Sequence, residues 1–433
     1  MRYHPINPDL FKLNRTRFAR KMLPDSIAIF NSNDRMPRNG DTFYPFRQNS
    51  DLFYLCGLDQ EEAILVLFPD CIKEGFHELV FIKRGNDYTA LFDGHLYNKE
   101  KASAISGIQK IFYLDEMEHI LHELILLAKR IYINTNENDR FISTVPSRDV
   151  RFAKQLMERY PLHKYHRAQP ILKKLAMLKS SLEIELIQEA VNISGKAFQR
   201  VLEFVKPGVA EYEIEAEITH ELLRNRANGH AFEPIVAAGE NTCVLHYATN
   251  NQICKEGDLL LLDFGAEYAN YASDMTRTIP VNGQFTVRQW EVYQSVLKVL
   301  KNAKTILVPG ITLEEYHKEV GKMMESELLD LKLLDKNDIK NQNPDYPAYR
   351  RYFMHGTSHH IGLNVHDLSN RYDPLQAGMV LTCEPGIYIP KEKIGIRIEN
   401  NILVTDQEPI DLTHHIPVEA EEIEELMNAG VLS

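Results

Sequence analysis

The sequence predicts an α/β domain followed by a larger α+β domain, and three observations carry that reading. Residues 1 to about 170 alternate short apolar runs with helical patterns, as in layered α/β folds. Beyond that point the order becomes two helices, strands, two more helices and strands again. Between the two regions lies a basic, Pro-marked connection, His166-Arg167-Ala168-Gln169-Pro170. We place the domains at 1–172 and 173–433. The repeated helix-pair-then-strands order suggests pseudo-two-fold symmetry in the second domain, with a site between its halves.

In the first domain, 26–30, 63–68, 79–82 and 131–133 read as buried strands. Residues 115–129 and 148–159 carry apolar positions at helical spacing. No Gly-rich phosphate loop or cluster of potential ligands appears there. The second domain opens on a long helix: Ser180 stands three residues before Glu183, a capping-box spacing. Leu182, Ile184, Ile187, Ala190, Val191, Ile193 and Phe198 keep its period until Pro207-Gly208 ends it. Residues 211–226 form its partner, closed by Asn228-Gly229, and 287–303 with 313–329 supply the second pair around Pro309-Gly310. The polar stretch 335–350 reads as a surface loop, with a lid as the functional alternative. The acidic block 421–425 reads as a solvated helix face.

The chain has 433 residues, 44% apolar and 25% charged, ordinary for a soluble enzyme. Its net charge of −12, without any long run of Lys or Arg, argues against nucleic acid or an anionic membrane as partner. Cys56, Cys71, Cys243, Cys254 and Cys383 are scattered and show no C-x-x-C spacing, which suits a reducing compartment without disulfides or zinc–thiolate sites. The amino terminus lacks a signal-peptide core, and no run approaches a membrane span. A cytoplasmic location is expected.

The chemistry concentrates in residues 353–367, which hold His355, His359, His360 and His366. Acidic strands flank that segment in sequence. Asp263 and Asp274 are equidistant from a centre between Tyr268 and Ala269; Glu384 and Glu399 are equidistant from one between Lys391 and Glu392. Residues equidistant from a hairpin turn sit opposite one another, so each pair would face with Cβ atoms ~5 Å apart. Like charges so placed are destabilising unless a cation lies between them or one is protonated. Four carboxylates and one imidazole form a hard ligand set that suits Mn²⁺, Co²⁺, Fe²⁺ or Zn²⁺. Their charge matches two divalent cations, which ~3.5–4 Å apart can activate one water. Singly, a strand Asp is usually a cap or ion-pair partner, and each histidine is more often a satisfied polar residue. The joint constellation is what argues for metal, and it leaves open which histidine is the ligand.

The segment His355-Gly356-Thr357-Ser358-His359-His360-Ile361-Gly362-Leu363-Asn364-Val365-His366-Asp367 resembles the proline-peptidase signature H-G-x-S-H-x-[LIV]-G-L-x-V-H-D at every fixed position. Asp263, Asp274, Glu384 and Glu399 occupy the matching ligand positions. The chain is similar over almost its whole length to the Xaa-Pro aminopeptidase (aminopeptidase P) family of pita-bread metallopeptidases. Residues 44–54, Tyr44-Pro45-Phe46-Arg47-Gln48-Asn49-Ser50-Asp51-Leu52-Phe53-Tyr54, resemble that family's creatinase-like first domain.

The resemblance implies a substrate peptide with proline second and two divalent cations, most often Mn(II). Asp263 would chelate one cation, Asp274 and Glu399 would bridge both, and His359 and Glu384 would complete the second. A bridging hydroxide would attack the scissile carbonyl while Glu384 shuttles its proton. His246 would stabilise the tetrahedral intermediate or handle protons, His355 and His366 would border the proline pocket, and Arg397 would orient a carboxylate or substrate group. The resemblance also implies a homodimer or homotetramer. Two departures stand out: Asn400 and Asn401 follow Glu399 where the family has an acidic residue, and His360 replaces an aromatic.

Prolidase shares all five ligands but takes only dipeptides, and residues 44–54 favour the aminopeptidase. Methionine aminopeptidase normally lacks the large first domain, and creatinase lacks the ligands. A non-catalytic binding module would be expected to lose ligands that this chain keeps.

Overall fold

Apolar strands flanked by amphipathic helices dictate the amino-terminal half. A computed structural model of the chain describes residues 2–140 and 142–429. It divides into two compact units, Tyr3–Ala176 and Met177–Ser433, the latter grouped with Arg2. In the first, six strands form one mixed sheet in the order Lys110–Tyr113, Glu78–Ile82, Ile64–Leu67, Ser26–Asn31, Arg130–Ile133, Lys164–Arg167. Strand Ser26–Asn31 runs antiparallel to Ile64–Leu67 and parallel to Arg130–Ile133. Alternation along it feeds two layers. Ile27 and Ile29 join Leu79, Phe81, Leu124, Ile125 and Leu156 in one core, while Phe30 meets Phe18 of helix Asp9–Ala19 edge-on at 5.3 Å. Each such fully buried side chain contributes ~1.5–3 kcal/mol.

Residues 44–54 fold as a cap and a helix. The Asn49 side chain accepts from the amides of Asp51 and Leu52 at the start of helix Ser50–Cys56. The fully buried Gln48 amide donates to the carbonyls of Leu58 and Gln60.

The second unit keeps the expected order. Helices Ser181–Phe204 and Glu211–Arg224 precede one group of strands; Val287–Thr305 and Leu313–Asp330 precede another. The capping box at Ser180 forms, with Glu183 accepting the Ser180 amide at 2.8 Å, and such a cap is worth about 1 kcal/mol. Strand Leu259–Phe264 lies between Ile235–Ala238 and Met275–Pro280, antiparallel to both. Strands Val380–Cys383 and Asn400–Leu403 pair, and Gly386–Ile389 pairs with Ile394–Arg397. The halves join where the Glu399 amide donates to the Thr276 carbonyl (3.0 Å) and the Thr278 hydroxyl donates to that of Arg397 (3.0 Å).

The stretch 335–350 is more structured than a bare loop, holding helix Lys336–Lys340 and leading into a 3₁₀ turn, Ala348–Arg351. The acidic block falls in helix Ala420–Asn428. Among the described residues no helix is long and apolar enough to cross a membrane.

Candidate active site

Hairpin register delivers the carboxylates, and it differs between the two hairpins. The ladders Cys383↔Asn400 and Gly386↔Arg397 share one register, so Glu384 and Glu399 lie opposite each other between them, as the turn centre predicted. The turn is Pro390–Glu392 followed by Lys393 at φ 57°. In the other hairpin Asp263 pairs with Thr276, not with Asp274. The correction has a local cause: Ala269 and Asn270, both left-handed at φ 52° and 63°, make the turn one position later than expected. Moving the centre by one shifts every partner by two, which preserves the face. Asp263 and Asp274 are therefore diagonal neighbours on one surface. Gly265 lets the strands close there, since a Cβ on it would stand 1.8 Å from the Ser273 carbonyl oxygen.

Asp263, Asp274, His359, Glu384 and Glu399 all line one cavity of about 380 Å³, together with His246, His355, His366 and Arg397. One ligand atom each from Asp274, His359 and Glu399 lies within 4.8 Å of the others. His359 Nε2 stands 3.4 Å from Asp274 Oδ2 and 3.8 Å from Glu384 Oε1. Its Nδ1 lies 3.0 Å from the His360 carbonyl, which fixes the proton there and turns the Nε2 lone pair toward the carboxylates. Asp263 Oδ1 and Asp274 Oδ1 are buried without a hydrogen-bond partner. An acceptor nitrogen and orphaned carboxylate oxygens facing one another are costly alone and suited to a cation. The donor set fits divalent metal.

The electrostatics agree. Burial, then the Asp263 charge, drives Asp274 well above the usual carboxylate range. Burial and the charges of Asp274, Glu384 and Asp263 do the same to Glu399. Burial takes Glu384 up to about 7 against the opposing pull of His359. A cation among them would reverse that logic.

Among the described residues Arg397 is the one guanidinium lining the cavity. It donates from Nη2 to Asp263 Oδ2 (2.6 Å), from Nη1 to the Tyr388 hydroxyl (2.8 Å) and from Nε to Thr276 Oγ1 (3.2 Å). Thr276 in turn donates to Glu399 Oε2 at 2.7 Å. His355 Nε2 lies 2.9 Å from the Tyr388 hydroxyl and its Nδ1 2.8 Å from the Gly356 carbonyl. Burial and the nearby Arg397 hold His355 down to about 3, so it is neutral. Its Nδ1 then donates to Gly356, and Nε2 accepts from Tyr388. The His366 ring meets that of His359 at 4.3 Å. His246 and His366 are exposed on the wall. His360 is buried and works through its backbone: its carbonyl accepts from His359 Nδ1 and from the Asp367 amide.

Sequence reasoning missed Thr276, Tyr388 and the clasp made by Asn401. Asn401 donates to the Asp274 carbonyl at 2.5 Å and accepts its amide at 3.2 Å. Thr276 was findable as the residue two beyond Asp274 on the same face. Tyr388, set between Ile387 and Ile389, reads as core. Phe232, Glu233, Ile235 and Ala248, which carried no signal, complete the cavity wall with Leu245 and Val365.

The profile of metallopeptidase family M24 matches residues 185–406, and that of the aminopeptidase P N-terminal domain matches 11–132. The chain is 34% identical to an Xaa-Pro aminopeptidase of Haemophilus influenzae, covering 96% of this chain and 97% of the relative. It is also 34% identical to that of Escherichia coli, over 98% and 99%. A variant of Escherichia coli aminopeptidase P solved in complex with substrate superposes with a TM-score of 0.89 at 33% identity, covering 99% of this chain and 100% of that one. The chain has the pita-bread fold and belongs to the Xaa-Pro aminopeptidases of metallopeptidase family M24, which makes it a hydrolase.

Proposed function

We propose that the chain removes the first residue of peptides whose second residue is proline, using two divalent cations, Mn²⁺ by preference. The observation that carries this reading is the convergence of five hard donors on one cavity, with acceptor atoms facing one another. Asp263 would hold one cation, His359 and Glu384 the other, and Asp274 and Glu399 both. Bound there, the cations supply Lewis acidity toward the scissile carbonyl and lower the pKa of a water.

The chain's own residues do the rest. Glu384 takes the proton of the attacking water on its carboxylate and returns it to the departing proline nitrogen. Its orientation is supported by the Thr382 hydroxyl, 3.4 Å from Oε1. Arg397 fixes Asp263 and, through Thr276, braces Glu399. Neutral His355, held by Tyr388, stands with Nδ1 3.6 Å from Glu384 Oε2 and borders the space for the proline ring. His366 forms a second wall. His246 donates to the oxyanion that develops on the carbonyl.

The test compares Xaa-Pro-Yaa peptides with Xaa-Pro dipeptides on Mn²⁺-loaded protein. Release of the first residue from the longer peptides is expected. Turnover of dipeptides alone would replace this reading with a prolidase.

A further inference from the structure

His246 makes no hydrogen bond or ion pair of its own among the described residues, and its ring is exposed on the cavity wall. Its position therefore depends on the loop that carries it. That loop is held by a carboxylate outside the cavity. Glu211, the first residue of helix Glu211–Arg224, has 0% exposure. Its Oε1 accepts from the Ala238 amide (2.7 Å) and Asn241 Nδ2 (3.4 Å). Its Oε2 accepts from the Tyr247 hydroxyl (2.8 Å) and the Gln252 amide (2.8 Å). No Lys, Arg or His pairs with it among the described residues. The positive end of its helix and these four donors offset the burial of the charge.

We propose that Glu211 is a positioning residue for His246, closing the loop between Ala238 and Gln252 so that His246 meets the scissile carbonyl. The bonds fall at both ends of the loop and at Tyr247, next to His246. Between them lie Leu245, His246 and Ala248, which all line the cavity. Leu245 and Tyr247 also pack on Ile235, Ala237, Leu261 and Tyr388, so the anchored backbone has a fixed floor. A second register holds the anchor itself, since the Glu211 amide donates to the Gln252 carbonyl at 2.9 Å and the Cys254 amide to that of Val209 at 2.9 Å. All four partners of its side chain donate, two to each carboxylate oxygen. A glutamine would set an NH₂ group against two of them.

The inference rests on the role given to His246, and the experiment separates the two. In metal-loaded full-length protein, Glu211→Gln is expected to lower kcat about 10- to 100-fold with little change in KM, as small misplacements of catalytic groups do. Metal content should stay at the wild-type level. Amides in 238–252 should exchange faster than wild type in metal-free protein, with those of 185–204 unchanged. In a His246→Ala background, Glu211→Gln should change kcat by no more than about twofold, because both act through one group. Tyr247→Phe, which removes one of the four bonds to Glu211, should show a smaller fall that also vanishes in that background. Wild-type kcat in Glu211→Gln, or losses that multiply in the double variant, would overturn the proposal. Full turnover by His246→Ala alone would instead remove the role of His246.

Discussion

Arg397 shows how one side chain can set the geometry of several others. Its planar fork reaches Asp263, Tyr388 and Thr276 at once, which a lysine's point charge would not do. Tyr388 passes the constraint on to His355. Tyr388→Phe should lower kcat/KM about 10- to 100-fold, as loss of groups supporting metal ligands does, with circular dichroism unchanged. Wild-type kinetics would show that His355 is held without the Tyr388 hydroxyl. His359→Ala should lose bound metal by elemental analysis together with nearly all turnover, and normal turnover would mean that the ligands are misassigned. At this scale the residues with unusual chemistry were legible, because histidines and strand carboxylates have few ordinary uses in such numbers. Thr276, Tyr388 and Asn401 were not, since each has a bland reading in a strand and acquires its role only from its partners: Thr276 and Asn401 from residues more than a hundred positions away, Tyr388 from Arg397 on the paired strand.

Among the elements, the contrast between the two hairpins explains what a sequence can convey. The turn at 390–393 is marked by Pro390 and charged residues, and its register followed. The turn at Ala269-Asn270 has no glycine or proline, so its two left-handed residues were invisible and the register came out displaced. Edge strands Lys110–Tyr113 and Lys164–Arg167 escaped notice: Ile111 is the one buried residue among their eight, and Lys164-Tyr165-His166-Arg167 forms no apolar run. Gly265→Ala should disrupt the Asp263–Asp274 hairpin, because the clash is with backbone that cannot turn aside. A fall in thermal midpoint of several degrees with loss of bound metal is expected. An unchanged midpoint would show that the strands can part at no cost.

Asp149 supplies a pH test for the first unit. It clamps helix Arg148–Arg159 to strand Ser26–Asn31, its Oδ1 accepting the Asn31 amide (3.1 Å) and Nδ2 (2.8 Å). Burial raises its pKa to about 7. Below about pH 4 both folded and unfolded chains are protonated there. Between that point and about pH 7 the unfolded chain ionises first, so stability falls as pH rises and then levels. Asp149→Asn keeps the accepting oxygen, and denaturant melts should find it more stable than wild type at pH 8, by on the order of 2 kcal/mol, but equal at pH 4. Parallel curves would place the titration elsewhere.

At the scale of the whole molecule, fold and family were legible because the helix-pair-then-strands order repeats and the histidine segment keeps its full spacing. The same order explains why the ligands come from distant parts of the chain. Asp263 sits in strand Leu259–Phe264 and Asp274 just before Met275–Pro280 in the first half of the second unit, Glu384 and Glu399 sit in the breaks between paired strands of the second half, and the Thr276–Glu399 seam brings them together. Metal should thus staple the two halves: ligands that bind only the folded state stabilise it by RT ln(1 + [L]/Kd), about 2.7 kcal/mol at a hundredfold excess over Kd. The most direct measurement is a titration of metal-free protein with Mn²⁺, following bound metal together with release of the first residue from an Xaa-Pro-Yaa peptide. Two ions per chain are expected, with turnover absent before they bind and never restored in His359→Ala. Full turnover by chelator-treated protein that holds no divalent cation would contradict it.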